Sequence, residues 1–401
     1  MTGRKAVLAV ATAAWLLCPS AAGAAGVQPP SLPGADAAIL VDARDGTPIL
    51  QKDPDESHAI ASTTKLMTAL LTLERADPAA VFRAPAYRAN GAESKIDLRT
   101  GERMKVADLL EALMLESAND AAATLAVGIS GSRDAFVDLM NDHARALRLT
   151  RTHYANPIGL DDPLNYSTAK DLSTLARRLL RNPRFNRIVN TPSATLSSGA
   201  RPRVVSNRND LIARYPFVDG VKTGYTSDAG YVLVGAATGA AGGRVVSVVL
   251  GEPSEAARDA ESLALLRYGV AQYRRVTPLR RGRPAGRVGI AYRDGEATLL
   301  PARAVSVVAR RDQKVTTRLD VPEELEGELA AGETVGGVEV LRDGEVVRRV
   351  ALVTAERVPG AGLPRRVAAT LGLPLTALAL LGMVGLGAVA GMRIRMRPRR
   401  R

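Results

Sequence analysis

The stretch Ala59-Ile60-Ala61-Ser62-Thr63-Thr64-Lys65-Leu66-Met67-Thr68-Ala69 sets a serine and a lysine three residues apart at the head of a helical pattern. Leu66, Leu70 and Leu73 fall on one face of a run that ends near Arg75. Residues three apart share a helical face, so the Lys65 amine can reach the Ser62 hydroxyl. A serine hydroxyl is a poor nucleophile until a base takes its proton, and a desolvated or cation-flanked lysine can be that base. The amides and dipole of a helix start favour negative charge developing there. Alone, S-x-x-K carries little information, because many helices place a surface lysine three residues from a serine.

Two further clusters change the weighing. Ser117-Ala118-Asn119 ends one apolar helical segment, Val106 to Leu115, and precedes another, Ala121 to Val127. Lys222-Thr223-Gly224 enters a strand that continues through Tyr225, where a glycine permits close approach of a substrate and the lysine and threonine can hold a carboxylate. Each tripeptide is common as a cap or turn. The ordered set is not.

The succession S-x-x-K, S-x-N, K-T-G resembles that of the penicillin-recognising serine enzymes. The nucleophile stretch, Asn119-Asp120-Ala121-Ala122, Asn156-Pro157-Ile158-Gly159-Leu160-Asp161 and Val218-Asp219-Gly220-Val221-Lys222-Thr223-Gly224-Tyr225-Thr226 are similar to segments of D-alanyl-D-alanine carboxypeptidases, the low-molecular-mass penicillin-binding proteins. The resemblance covers about Ala37 to Tyr268, and more loosely the segment after it. It implies an α+β fold, an antiparallel sheet with helices on both sides. It also implies cleavage of the terminal D-alanine from peptidoglycan stem peptides ending in D-Ala-D-Ala, through an acyl-enzyme on Ser62 that β-lactams also form. The implied roles are Lys65 as base, Ser117 as proton relay to the leaving amine, and Asn119 as the group that holds the substrate amide and orients Lys65. Lys222 and Thr223 would face the terminal carboxylate, Gly224 and Tyr225 would line the strand, and the amides of Ser62 and Tyr225 would form the oxyanion hole. Arg258 falls where such enzymes place a second carboxylate-binding arginine; read by itself it is a solvated helix residue. The resemblance implies no metal or organic cofactor.

The remainder of the chain is consistent with an envelope protein. The formal net charge is +13; setting aside Arg4, Lys5 and the six arginines of the last nine residues leaves +5 on the body. That balance suits an anionic envelope, and no basic stripe interleaved with aromatics argues for nucleic acid. Arg4 and Lys5 precede the largely apolar run Ala6 to Cys18 and an Ala22-Gly23-Ala24 cleavage pattern, so residues 1–24 read as a signal peptide. Cys18 is the only cysteine, and Leu17 before it speaks against a lipoprotein. Val367 to Met392 runs 26 residues without charge before the arginine-rich tail 393–401, a length that spans a bilayer with its tail in the cytoplasm. Residues 33–275 then form the catalytic domain, and 276–357 a small β-rich domain marked by Asp294-Gly295 and Asp343-Gly344 hairpin signals. The expected location is the bacterial cell membrane, single-pass, with the catalytic domain outside.

Alternatives from the same residues are weaker. His58, His143 and His153 form no zinc spacing and no triad pattern, and Asp161-Asp162 sits in a turn-forming loop. A class A β-lactamase would need an E-x-x-L-N loop, and no glutamate lies between Asn119 and Lys222. A D,D-endopeptidase or transpeptidase would use the same Ser62. A non-enzymatic wall-binding scaffold would require all three motifs to coincide by chance.

Overall fold

The computed structural model describes residues 28–89, 93–363, 365–366 and 381–388. The expected signal peptide and basic tail lie outside these residues. So does the expected span 367–392, apart from the helical residues 381–388. Among the described residues no helix is long and apolar enough to cross a membrane.

A five-stranded antiparallel sheet carries the first unit. Its strands are β1 (Ala37–Asp42), β2 (Pro48–Lys52), β3 (Val218–Thr226), β4 (Gly230–Thr238) and β5 (Arg244–Glu252), in the spatial order β2-β1-β5-β4-β3. Inner strands read as unbroken apolar runs because both faces are covered. Ile39, Val41, Val234, Val246 and Val248 point into a core shared with α1 (Lys65–Arg75), α2 (Val106–Met114), α3 (Asn119–Ser130), α4 (Arg133–Ala146) and α5 (Ala169–Leu179). Their neighbours Ala38, Leu40, Leu233, Val245 and Val249 point the other way, against α6 (Glu255–Ala271) through Leu263, Leu265 and Leu266. Alternation along a strand thus feeds two cores rather than one core and solvent.

Two local expectations need correction. Ser62 does not begin an α-helix: Ala61–Thr64 is a 3-10 turn, and α1 starts at Lys65. Asn182-Pro183 ends α5 but also opens a short helix, Pro183–Val189. The Asn182 Oδ1 accepts from the Arg184 and Phe185 amides at 2.9 and 3.2 Å, and a proline without N–H costs nothing in a first turn.

The second unit is all β. Tyr273–Leu279 pairs with Val305–Arg310, and a six-stranded sheet closes over Leu299, Val338, Val340 and Leu352. Asp343 (φ 51°) and Gly344 (φ 87°) supply the two left-handed positions of a tight hairpin between Arg342 and Glu345. The Asp294-Gly295 connection is longer, running from Ala291 to Gly295, with Tyr292 (φ 61°) and Gly295 (φ 145°) both at positive φ.

The N-terminal lead-in is held to the first unit by acids. Glu261 on α6 accepts from the Gly34 amide at 2.8 Å, and Glu252 at the end of β5 is fully buried beside it. Burial, reinforced by Glu261, pushes the Glu252 carboxyl up from 4.5 to about 8. A raised acid pKa means the folded state binds that proton more tightly than the unfolded chain. The stability it contributes is complete below about pH 4.5 and is lost as pH rises through about 8. Glu252→Gln should therefore flatten the decline of melting temperature between pH 5 and 8, as followed by circular dichroism; an unchanged slope contradicts the raised Glu252 carboxyl.

Candidate active site

Why Ser62 stands where it does follows from the loop Asn156–Leu160. The Asn156 Oδ1 accepts from three successive amides, those of Ile158 (3.2 Å), Gly159 (2.7 Å) and Leu160 (3.2 Å). That curls the loop so that Gly159, at φ 88°, lies against the nucleophile turn; a Cβ there would stand 1.9 Å from the Ala61 carbonyl oxygen. Thr68 Oγ1 donates to the Pro157 carbonyl at 2.8 Å and Asn165 Nδ2 to Thr64 Oγ1 at 3.1 Å. The turn is pinned from its far side. Its near side is held by β3: a Cβ on Gly224 would stand 2.9 Å from the Ser62 nitrogen, so glycine keeps that N–H uncovered.

Lys65 is fully buried, and its Nζ donates to Ser62 Oγ at 2.9 Å and to the Ile158 carbonyl at 2.5 Å. Burial drives its pKa well below the ordinary lysine value, and the nearby charge of Lys222 lowers it further. Ser117 takes a left-handed backbone (φ 62°) between α2 and α3 and is 6% exposed, with no hydrogen-bond partner for its Oγ among the described residues. A buried hydroxyl left unpaired in the protein is one available to a substrate. Lys222, on the edge strand β3, donates to the Thr223 carbonyl at 2.7 Å. Burial, then Arg208 and Arg258, bring it down to about 7.

A cavity of about 260 Å³ joins Ser62, Ser117, Thr223, Gly224 and Tyr225 with Arg208 and Arg258. Arg258 is 3% exposed, pairs with Glu255 at 2.9 Å and Asp259 at 2.8 Å, and lies over the Tyr231 ring; it is not a solvated helix residue. Tyr225 and Tyr231 pack ring on ring, 4.3 Å apart, at the cavity mouth. Six of the nine candidate site residues line this cavity; of the others, Lys65 is bonded to Ser62, Lys222 to the Thr223 carbonyl, and Asn119 lies two residues from Ser117. One expected contact is absent: the Asn119 amide does not orient Lys65. Its Nδ2 donates instead to Glu93 at 2.7 Å.

Sequence reading missed Glu93 and Arg208. Arg208 reaches the cavity from an Asn-rich turn, with its amide on the Leu115 carbonyl and its guanidinium on Glu116. No local pattern marks either residue; both are close to the motifs only in space.

This sequence matches the D-alanyl-D-alanine carboxypeptidase family over residues 24–254 and the C-terminal domain of penicillin-binding protein 5 over residues 273–360. The chain belongs to the D-alanyl-D-alanine carboxypeptidase family. It is a serine peptidase and hydrolase of the penicillin-binding group. D-alanyl-D-alanine carboxypeptidase DacC of Escherichia coli is 32% identical over 359 residues, 85% of this chain and 88% of that one. DacF of Bacillus subtilis is 29% identical across 84% of this chain and 89% of its own. Penicillin-binding protein 5 of Haemophilus influenzae superimposes with a TM-score of 0.60 at 29% identity, covering 83% of this chain and all of that structure. A DD-transpeptidase of Streptomyces, with a TM-score of 0.57 and 30% identity, covers 60% of this chain and 99% of its own.

The two buried lysines set the expected pH profile of this family member. In the roles that the family resemblance implies, Lys65 would accept a proton only when neutral, and Lys222 would hold a carboxylate only when charged. The rate constant kcat/KM for a carboxylate-bearing peptide should fall as pH rises through about 7, where Lys222 loses its proton. Lys222→Arg, which stays charged, should carry that alkaline limb to higher pH. Lys222→Ala should lose on the order of 2–3 kcal/mol of transition-state stabilisation, or ~30- to 150-fold in rate. An alkaline limb that stays put in Lys222→Arg contradicts the assignment.

Proposed function

We propose that Ser62 is the acylated nucleophile of a D-Ala-D-Ala carboxypeptidase and that Lys65 is its base. The observation carrying this is the fully buried Lys65 amine, 2.9 Å from Ser62 Oγ and depressed in pKa by its surroundings. The Lys65 amine takes the Ser62 proton as Oγ attacks the carbonyl carbon between the two D-alanines. Negative charge on the carbonyl oxygen is received by the Ser62 and Tyr225 amides. Lys222, Thr223 and Arg258 face the terminal carboxylate of the substrate, and Asn119 faces its amide. The proton passes through Ser117 to the leaving nitrogen, the C–N bond breaks, and D-alanine departs. Water then attacks the Ser62 ester, with Lys65 taking its proton, and restores the serine.

A β-lactam acylates the same oxygen but keeps its leaving group tethered through the opened ring. The fragment stays in the path that water needs, and the chain has no E-x-x-L-N glutamate to activate a water from elsewhere. The full-length protein should therefore release D-alanine from a D-Ala-D-Ala pentapeptide while carrying a penicilloyl label on Ser62 for minutes or longer. Mass spectrometry of the peptide products and of the labelled tryptic peptide reads both. Rapid turnover of penicillin with an intact pentapeptide, or label persisting in Ser62→Ala, overturns the reading. If an amine replaces water as acceptor, the same acyl-enzyme performs transpeptidation, and the same spectrum would show the coupled product.

We further propose that residues 367–392 anchor the protein in the bacterial membrane with the arginine-rich tail in the cytoplasm and the catalytic unit outside. The charge-free length and the six arginines that follow it support this. Truncation at about Gly360 should release active protein into the soluble fraction. Retention in membranes through salt and carbonate washing would place the anchor elsewhere.

A further inference from the structure

The turn bearing Ser117 and Asn119 is gripped by the segment 93–98. The Asn119 amide nitrogen donates to the Ser94 carbonyl at 2.8 Å, and the Asn119 side chain to Glu93 Oε2 at 2.7 Å. One residue on, the buried Asp120 carboxylate accepts from the Ile96 amide at 3.1 Å and the Leu98 amide at 2.9 Å. Tyr87 donates its hydroxyl to the same Glu93 oxygen. Glu93 is half-buried and therefore has a firm hold on its partners.

An asparagine amide has a donor end and an acceptor end, and which end meets a substrate depends on what holds the other. A carboxylate accepts only, so it commits the Asn119 nitrogen to itself and leaves the oxygen for a substrate N–H. Glu93 also acts on Lys65 through its charge. Among the described residues, the charges that act on Lys65 are Lys222, from β3, and Glu93; its remaining contacts, Ser62 Oγ and the Ile158 carbonyl, are neutral. Lys222 pushes the Lys65 proton off, and Glu93 opposes it.

We propose that Glu93 is a positioning residue of this active site: its carboxylate fixes the side-chain amide of Asn119 and supplies negative charge facing Lys65. The proposal rests on Lys65 being the base for Ser62.

The two roles separate by substitution. In Glu93→Gln the carboxamide oxygen still accepts from Asn119, but the charge is gone. Removing a negative charge lowers the Lys65 pKa, so the acid limb of the acylation rate should move to lower pH by ~0.5 unit or more. The plateau rate should stay within ~3-fold of the parent. In Glu93→Ala the limb should shift likewise, and the plateau should fall ~10-fold or more as Asn119 loses its hold. Stopped-flow acylation of the full chain by a fluorescent penicillin, at pH 4.5 to 8, reads both quantities, with melting temperatures to confirm folding. If Glu93→Ala fails to fold, the limb of Glu93→Gln decides. A limb unmoved in Glu93→Gln, or a Glu93→Ala plateau equal to the parent, overturns the proposal. A parent enzyme labelled on Ser62 but without an acid limb overturns instead the assignment of Lys65 as base.

Discussion

A lysine amine removed from water, with a serine hydroxyl and a main-chain carbonyl as its partners, is the constraint on which the rest of the molecule depends. Burying a charged ammonium is costly, and a protein relieves the cost by letting the group lose its proton. The Lys65 amine is buried completely, and the charge of a second buried lysine, Lys222, outweighs that of Glu93 in lowering its pKa. Such an arrangement persists only if its surroundings cannot relax. Asn156, Gly159 and Thr68 bind the loop to the nucleophile turn on one side, and Gly224 lets β3 close on the other. The strength of the scaffold thereby holds a lysine of lowered pKa beside Ser62.

Much of this was legible in the sequence because it is local. The helices and the strands β4 and β5 announce themselves by periodicity, and S-x-x-K fits within one turn. The N-P-I-G-L-D stretch was recognisable as a family segment, but its purpose was not. That purpose lies in a glycine Cβ position 1.9 Å from a carbonyl about a hundred residues earlier in the chain. The 3-10 geometry at Ala61–Thr64 was also hidden, since composition does not distinguish it from a first α-helical turn.

Glu93 and Arg208 show a different kind of limit. Each is a charged residue in a polar loop, a setting in which most charges are solvated. Each matters because tertiary structure carries it to a motif that is remote in sequence: Glu93 to Asn119, Arg208 to Glu116 and the cavity. The carboxylate absent between Asn119 and Lys222 is supplied from before Asn119. It arrives at the Asn119 amide, so a count of glutamates between the motifs misses it.

The all-β unit contributes no side chain to the cleft. Its core is built on Leu299, Val338, Val340 and Leu352, and it meets the first unit both by apolar packing, with Tyr273 buried beside Leu40 and Val245, and by polar ties that include two from arginines, Arg310 to Asp42 at 3.4 Å and Arg275 to the Ala241 carbonyl at 3.3 Å. Both ties lie at the end of the sheet where β1 finishes and β4 turns into β5. The residues that hold Ser62 and Lys65 lie on α1, the Asn156 loop and β3, and β3 is joined to that end of the sheet through Asp219 and Arg244, 3.0 Å apart. The side chains that line the cleft come from the first unit, so the second bears on the chemistry only through the strands and helices it packs against.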